Sequence, residues 1–187
     1  MKVLGTVGLP GSGKGEAAEV AREAGIPVVT MGDVIREACR ERGLDPADHH
    51  GSVARALREE EGEAAIAERS LPHIEAALED AETVLVDGLR SPAEVERFEE
   101  AFGDAFVLVS VEAPFETRAK RLIDRGRDAS DLDREALRAR EDRELGFGMG
   151  EVMENADVTV ENTGSLGRFR ERIRELLDDP VDAEVER

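Results

Sequence analysis

The stretch Lys2-Val3-Leu4-Gly5-Thr6-Val7-Gly8-Leu9-Pro10-Gly11-Ser12-Gly13-Lys14-Gly15-Glu16 decides the fold. Its first six residues are a short apolar run closed by glycine, the pattern of a strand buried on both faces. From residue 14 to 24 the period changes: Ala17, Ala18, Ala21 and Ala24 share one stripe, with Glu16, Glu19, Arg22 and Glu23 elsewhere, which predicts a helix. Between strand and helix, Gly8-x-x-x-x-Gly13-Lys14 has the spacing of a phosphate-binding loop in the context that loop requires. Glycines let backbone amides turn inward without a Cβ clash. The helix N-terminus adds its own amides and dipole, and a lysine reaches the outer phosphates as a point charge. The chain has only three lysines (Lys2, Lys14, Lys120), so one at this place is hard to ascribe to chance. Gly8, Pro10, Gly11, Ser12, Gly13, Lys14 and Gly15 are therefore read as the grip on ATP or GTP.

A full motif of this kind ends in Ser or Thr, whose hydroxyl binds Mg²⁺. Here Gly15 and Glu16 follow the lysine, so direct hydroxyl ligation is absent. Glu16 has two readings: part of the metal shell, or a first-turn acid that complements the helix dipole.

Outward from the loop, strands and helices alternate. Ile26-Pro27-Val28-Val29 begins a second strand, 31–42 is helical, and Asp45-Pro46 restarts a helix as cap and first-turn proline. Residues 47–80 form Ala- and Glu-rich helix, with a break expected near Ser70-Leu71-Pro72. Residues 83–86 read as a third strand. Ser91-Pro92-Ala93-Glu94 has capping-box spacing and opens a helix to about Phe102. Residues 105–111 are a fourth strand, 114–125 and 131–145 helices, 157–160 a fifth strand. The last helix sets Leu166, Phe169, Ile173, Leu176 and Leu177 on one face, and 179–187 is an acidic tail. Such alternation implies a five-stranded parallel sheet covered on both faces, a three-layer α/β/α fold. Residues 1–178 are read as one domain, with a helical insert at about 44–80 and a short lid at about 118–150.

Composition limits the partners. The 187 residues carry 44 Asp and Glu against 25 Lys and Arg, a net charge of −19. So acidic a surface repels a polyphosphate backbone, which excludes nucleic acid as a main partner. It reads as a solvated surface suited to very high salt; the other reading is a docking face for a basic protein. A single cysteine, Cys39, excludes an internal disulfide and is read as a small buried residue. Met1 leads straight into the first strand, and no apolar run approaches a membrane span; a cytoplasmic location, without a membrane partner, is expected.

With these residues in view, the chain resembles the adenylate kinase group, whose loop also reads Gly-x-Pro-Gly-x-Gly-Lys-Gly, followed there by Thr where Glu16 stands. Thr30-Met31-Gly32-Asp33-Val34-Ile35-Arg36 resembles that group's acceptor segment, and Val86-Asp87-Gly88-Leu89-Arg90 its Asp-Gly-x-x-Arg element, one residue shorter. Residues 113–125 and 156–166 look more like dephospho-coenzyme A kinases. The pattern over residues 3–177 is most similar to an archaeal P-loop family related to both, with a fold like that of nucleoside monophosphate kinases. The resemblance implies that Arg36 and Arg90 contact the acceptor's phosphate or polar end, and that Asp33 faces its attacking oxygen. It implies that Asp87 holds Mg²⁺ through water, that Arg121 and Arg125 close over the transferring phosphoryl, with Arg118 and Arg127 nearby, and that Asn162 and its neighbours line the adenine pocket. Arg36 as a solvated helix charge, and the arginines as partners of surface acids, are the plainer alternatives.

The expected function is phosphoryl transfer from ATP, with Mg²⁺, to a small-molecule acceptor, a nucleotide or coenzyme precursor. The alternative is a nucleotide-dependent switch whose helical insert binds a protein. Gly146-Phe147-Gly148-Met149-Gly150 reads equally as a hinge or an exposed loop. His49, His50 and His73 lack the partner set of a metal site and are read as non-ligands.

Overall fold

A computed structural model describes residues 1–125 and 134–178, apart from the Arg125 side chain. The part of the expected lid at 126–133 (with Arg127), the Arg125 side chain and the tail 179–187 lie outside the described residues. Five strands, β1 (Lys2–Val7), β2 (Val28–Thr30), β3 (Thr83–Asp87), β4 (Phe106–Glu112) and β5 (Val158–Glu161), form one sheet in the order β2-β3-β1-β4-β5. Every neighbouring pair is parallel. The central strand β1 is buried along its whole length, which is why its sequence does not alternate apolar with polar; its two polar residues are hydrogen-bonded, Lys2 Nζ to Leu176 O and Thr6 Oγ1 to Asp87.

The pleat sorts these side chains into two cores. Val3, Val7, Val84, Val86 and Leu108 face one layer, built from α2 (Met31–Glu41), α3 (Pro46–Glu61), α4 (Ala65–Asp80), α5 (Pro92–Phe102) and α8 (Met149–Glu154). Leu4, Leu85, Val109 and Val111 face the other, built from α1 (Lys14–Glu23) and α9 (Leu166–Asp178). Alanines at 17, 18 and 21, all buried, let α1 lie close to the sheet and to α9. Gly5 has a packing role in β1: a Cβ there would stand 2.8 Å from the Phe106 ring, which fills the space instead. A smaller cluster of Ala119, Leu122 and Leu137 joins α6 (Phe115–Arg125) to α7 (Arg134–Leu145).

Two expectations are corrected. No helix break occurs at residues 70–72: α4 runs through Pro72, because Ser70, Leu71 and Ile74 are buried on one side and the exposed proline lies on the other. The interruption falls earlier, at Gly62 with φ +102, where α3 ends. Nor does the capping box close at α5. Ser91 makes no side-chain cap bond, its buried Oγ lacks a hydrogen-bond partner among the described residues, and Glu94 instead accepts from the Arg90 amide at 2.8 Å. The Asp45 cap forms as expected, its Oδ1 accepting from the Ala47 amide at 2.9 Å. Among the described residues, no helix is long and apolar enough to cross a membrane.

Candidate functional site

The site lies where the sheet's carboxyl ends meet the loop 8–13, the place at which ligands bind in parallel α/β sheets. Thr6, Asp87 and Thr30 stand in one row there, Thr6 opposite Asp87 and Asp87 opposite Thr30. Beyond Thr6 the chain turns through Gly8 at φ +151 and reaches α1 through Gly13 at φ +126. Both glycines are enforced by contacts as well as by φ. A Cβ on Gly8 would stand 2.4 Å from the Val111 carbonyl oxygen, and one on Gly13 2.4 Å from Asn162 Nδ2.

Three of the loop's carbonyls are tied to α6 and to Asn162. Arg118 Nη1 donates to Pro10 O at 3.2 Å, Arg121 Nη1 to Gly11 O and Ser12 O at 3.4 and 3.3 Å, and Asn162 Nδ2 to Ser12 O at 2.8 Å. Arg121 Nη2 in turn donates to Asn162 O at 3.0 Å and Oδ1 at 3.2 Å. These bonds fix the Pro10, Gly11 and Ser12 carbonyls, and the Ser12 amide closes the loop on itself by donating to Leu9 O at 3.1 Å. Arg118 is buried and also pairs with Glu141 of α7 while donating to Ala113 O at 2.8 Å. It therefore fastens α6 and α7 to the loop.

Lys14 leans over the loop, its Nζ donating to Gly8 O and lying 3.5 Å from Leu9 O. Burial lowers its pKa from 10.5 to about 8; Asp87 and Glu144 oppose the shift, and Arg90 and Arg140 add to it. Asp87 accepts from Thr6 Oγ1 at 2.9 Å. Among the described residues no three His, Cys, Asp or Glu side chains converge as a metal cage. A divalent cation fits this donor set only as a companion of bound phosphates, with Asp87 as the carboxylate beside Lys14. At Gly15 a Cβ would meet nothing within 4 Å, so sterics do not account for the missing hydroxyl. Glu16 is engaged by Arg170 of α9, which also pairs with Glu23.

A cleft of about 850 Å³ runs from the loop toward α2, α3 and α7, and Lys14, Asp33, Arg36, Asp87, Arg90 and Arg121 all line it. Asp33 accepts from Arg36 Nε at 2.8 Å, both side chains being well exposed. The sequence reading missed a second set on the same walls: Arg58 and His50 of α3, Glu94 of α5, and Arg140 and Glu144 of α7. Glu94, 1% exposed, accepts from Arg58 Nη2 at 3.1 Å and from the Arg90 amide. Glu144 is buried, 3.3 Å from Arg140 Nε and 3.6 Å from Arg90 Nη1. Their helical context offers one sequence signal, since His50, Ala54 and Arg58 recur every four residues along α3. Asn162 does not line the cleft wall directly; its side chain lies behind the loop.

Residues 7–138 match the family model described as AAA domain. The UPF0200 protein OE_4442F of Halobacterium salinarum is 61% identical over 177 residues, covering 95% of this chain and 93% of its own. Among solved structures, TT1252 from Thermus thermophilus superposes with a TM-score of 0.65 at 23% identity, over 94% of this chain and 96% of that one. The shikimate kinase of Bacteroides thetaiotaomicron gives 0.61 at 16% identity, over 95% and 99%. At these identities the solved structures speak for the fold alone.

Proposed function

The chain belongs to the UPF0200 family and to the AAA-domain family of P-loop, kinase-like nucleotide-binding proteins, and from that premise we propose that it is a small-molecule kinase transferring the γ-phosphoryl of ATP to an anionic nucleotide or coenzyme-precursor acceptor. One observation carries the reading: in a protein of net charge −19, the cleft beyond the phosphate loop gathers the four guanidinium groups of Arg36, Arg58, Arg90 and Arg140, oriented by the carboxylates of Asp33, Glu94 and Glu144. A nucleotide hydrolase needs a seat for a triphosphate and a water; a second set of positioned guanidinium groups suits a second anionic substrate.

Phosphoryl transfer depends mainly on positioning and on neutralising charge around the moving group. The loop amides and Lys14 hold the donor's phosphates. Arg36 and Arg90 hold the acceptor's anionic end, and Asp33 orients its attacking hydroxyl. Arg121 adds its charge beside the loop. A magnesium ion bound with the nucleotide would supply further charge neutralisation, and Asp87 is the residue that would hold it, through water.

The test is ADP release measured across nucleoside monophosphates, coenzyme precursors and other hydroxyl acceptors, in low salt and in molar KCl. Release should depend on one class of acceptor. Arg36→Ala and Arg90→Ala should each raise the acceptor's KM about tenfold or more, about 1.4 kcal/mol, leaving nucleotide affinity near its original value. Slow hydrolysis that ignores every acceptor, and ignores both substitutions, would mean a nucleotide-dependent switch instead.

A further inference from the structure

We propose that His50 is a specificity residue of the acceptor site, its Nδ1 accepting a hydrogen bond from a hydroxyl or N–H of an acceptor whose anionic end rests on Arg36 and Arg90. The inference deepens the kinase reading and rests on it. His50 lines the cleft with both arginines and shares one face of α3 with Arg58. Its Nε2 lies 3.3 Å from Gly32 O. A carbonyl can only accept, so Nε2 carries the proton, and in the neutral ring the remaining nitrogen, Nδ1, is an acceptor. Among the described residues no side-chain or backbone donor reaches Nδ1. The arginines beside it have no acceptor atoms, so His50 supplies what they lack: a neutral acceptor next to an anion seat.

The surroundings keep the ring in that form. Burial lowers its pKa, the Gly32 carbonyl opposes this, and the Arg90 and Arg36 guanidinium charges push it further down. The carbonyl of Gly32 also fixes the ring's direction from α2, at a point where a Cβ would stand 3.4 Å from Arg36 Nη1 and 3.6 Å from His50 Nε2. Arg36, His50 and the α2 backbone thus form one packed unit, so an acceptor gripped by Arg36 is presented to the ring.

The two ring nitrogens separate this role from a structural one. Asparagine can place an amide oxygen near the position of Nδ1; glutamine can place an amide nitrogen near that of Nε2. With a non-hydrolysable ATP analogue bound, calorimetry against AMP, dephospho-coenzyme A and shikimate identifies which compound binds with dependence on Arg36. For that compound, His50→Gln should weaken binding about tenfold, and His50→Asn should restore most of it, with ATP-analogue affinity unchanged in both. Equal binding by wild type and His50→Gln, or rescue by glutamine and not asparagine, overturns the inference while leaving the kinase reading intact. If none of the three binds with dependence on Arg36, the same calorimetry is run over the acceptor classes of the ADP-release test, and absence throughout overturns the kinase reading and the inference with it.

Discussion

At Lys14, a single ammonium group carries both a cost and a function. Its pKa of about 8 means that the unfolded chain holds the proton more tightly between pH 8 and 10.5. Stability linked to this group is therefore lowest below pH 8 and rises with pH through that window. Nucleotide binding runs the opposite way, because phosphate anions favour the charged amine. Above pH 8 the protein should take up close to one proton per nucleotide bound, and affinity should fall by up to tenfold per pH unit. Calorimetry at pH 8.5 in two buffers of different ionisation enthalpy reads the proton directly; no uptake, or release, would place the charge on another group. The residue was legible because its spacing from Gly8 and Gly13 is fixed by the loop. Its neighbours Glu144 and Arg140 were not: the sequence holds 44 acids and 22 arginines, and nothing in local spacing says which of them tertiary packing turns inward.

Among the elements, the parallel strands were the most readable. Burial on both faces writes itself as an unbroken apolar run, as in Val84-Leu85-Val86 of β3. The helices misled where a local rule met tertiary packing. Pro72 looked like a break, yet α4 continues through it because Leu71 and Ile74 anchor both flanking turns. The proline still removes an N–H and crowds the preceding turn. Pro72→Ala should therefore stabilise the protein, by about 1 to 3 kcal/mol given proline's intrinsic penalty in a helix interior, and denaturant unfolding would measure it. A loss of stability would show that the ring's shape is itself part of the α4 packing. Ser91 and Glu94 carried the same lesson from the other side. The spacing is that of a cap, but Glu94 is drawn to Arg58 and the Arg90 amide, since a buried carboxylate gains more from a guanidinium than from a second amide.

For the molecule as a whole, charge is the dominant peculiarity. Cross-helix pairs such as Arg69 with Glu61 and Glu41, and Arg42 with Glu60, are partly exposed, and pairs of that kind contribute about 0 to 1 kcal/mol each. The net −19 is a surplus no internal pair can neutralise. Raising KCl from 0.1 M to 1 M shortens the screening length from about 10 Å to about 3 Å. Tm should rise across that range, because repulsion among the excess acids is screened more than the pairs lose. A falling Tm in a salt-dependent melting series would show that the pairs dominate. The layered fold followed from chain order, and the strand end marked Asp87 and Arg90; Asp33 and Arg36 were legible only through the resemblance to the adenylate kinase group. The joining of α7 to that group through Arg118 and Glu141 did not, since the contact spans 23 residues and no periodicity records it.

The bare Cα at Gly5 and the ring of Phe106 that leans over it have a consequence for descent. Neither position can drift alone: a methyl at 5 has nowhere to go, and a smaller residue at 106 leaves a hole beside the central strand. Lineages of this family should inherit the two as a matched pair or exchange them together.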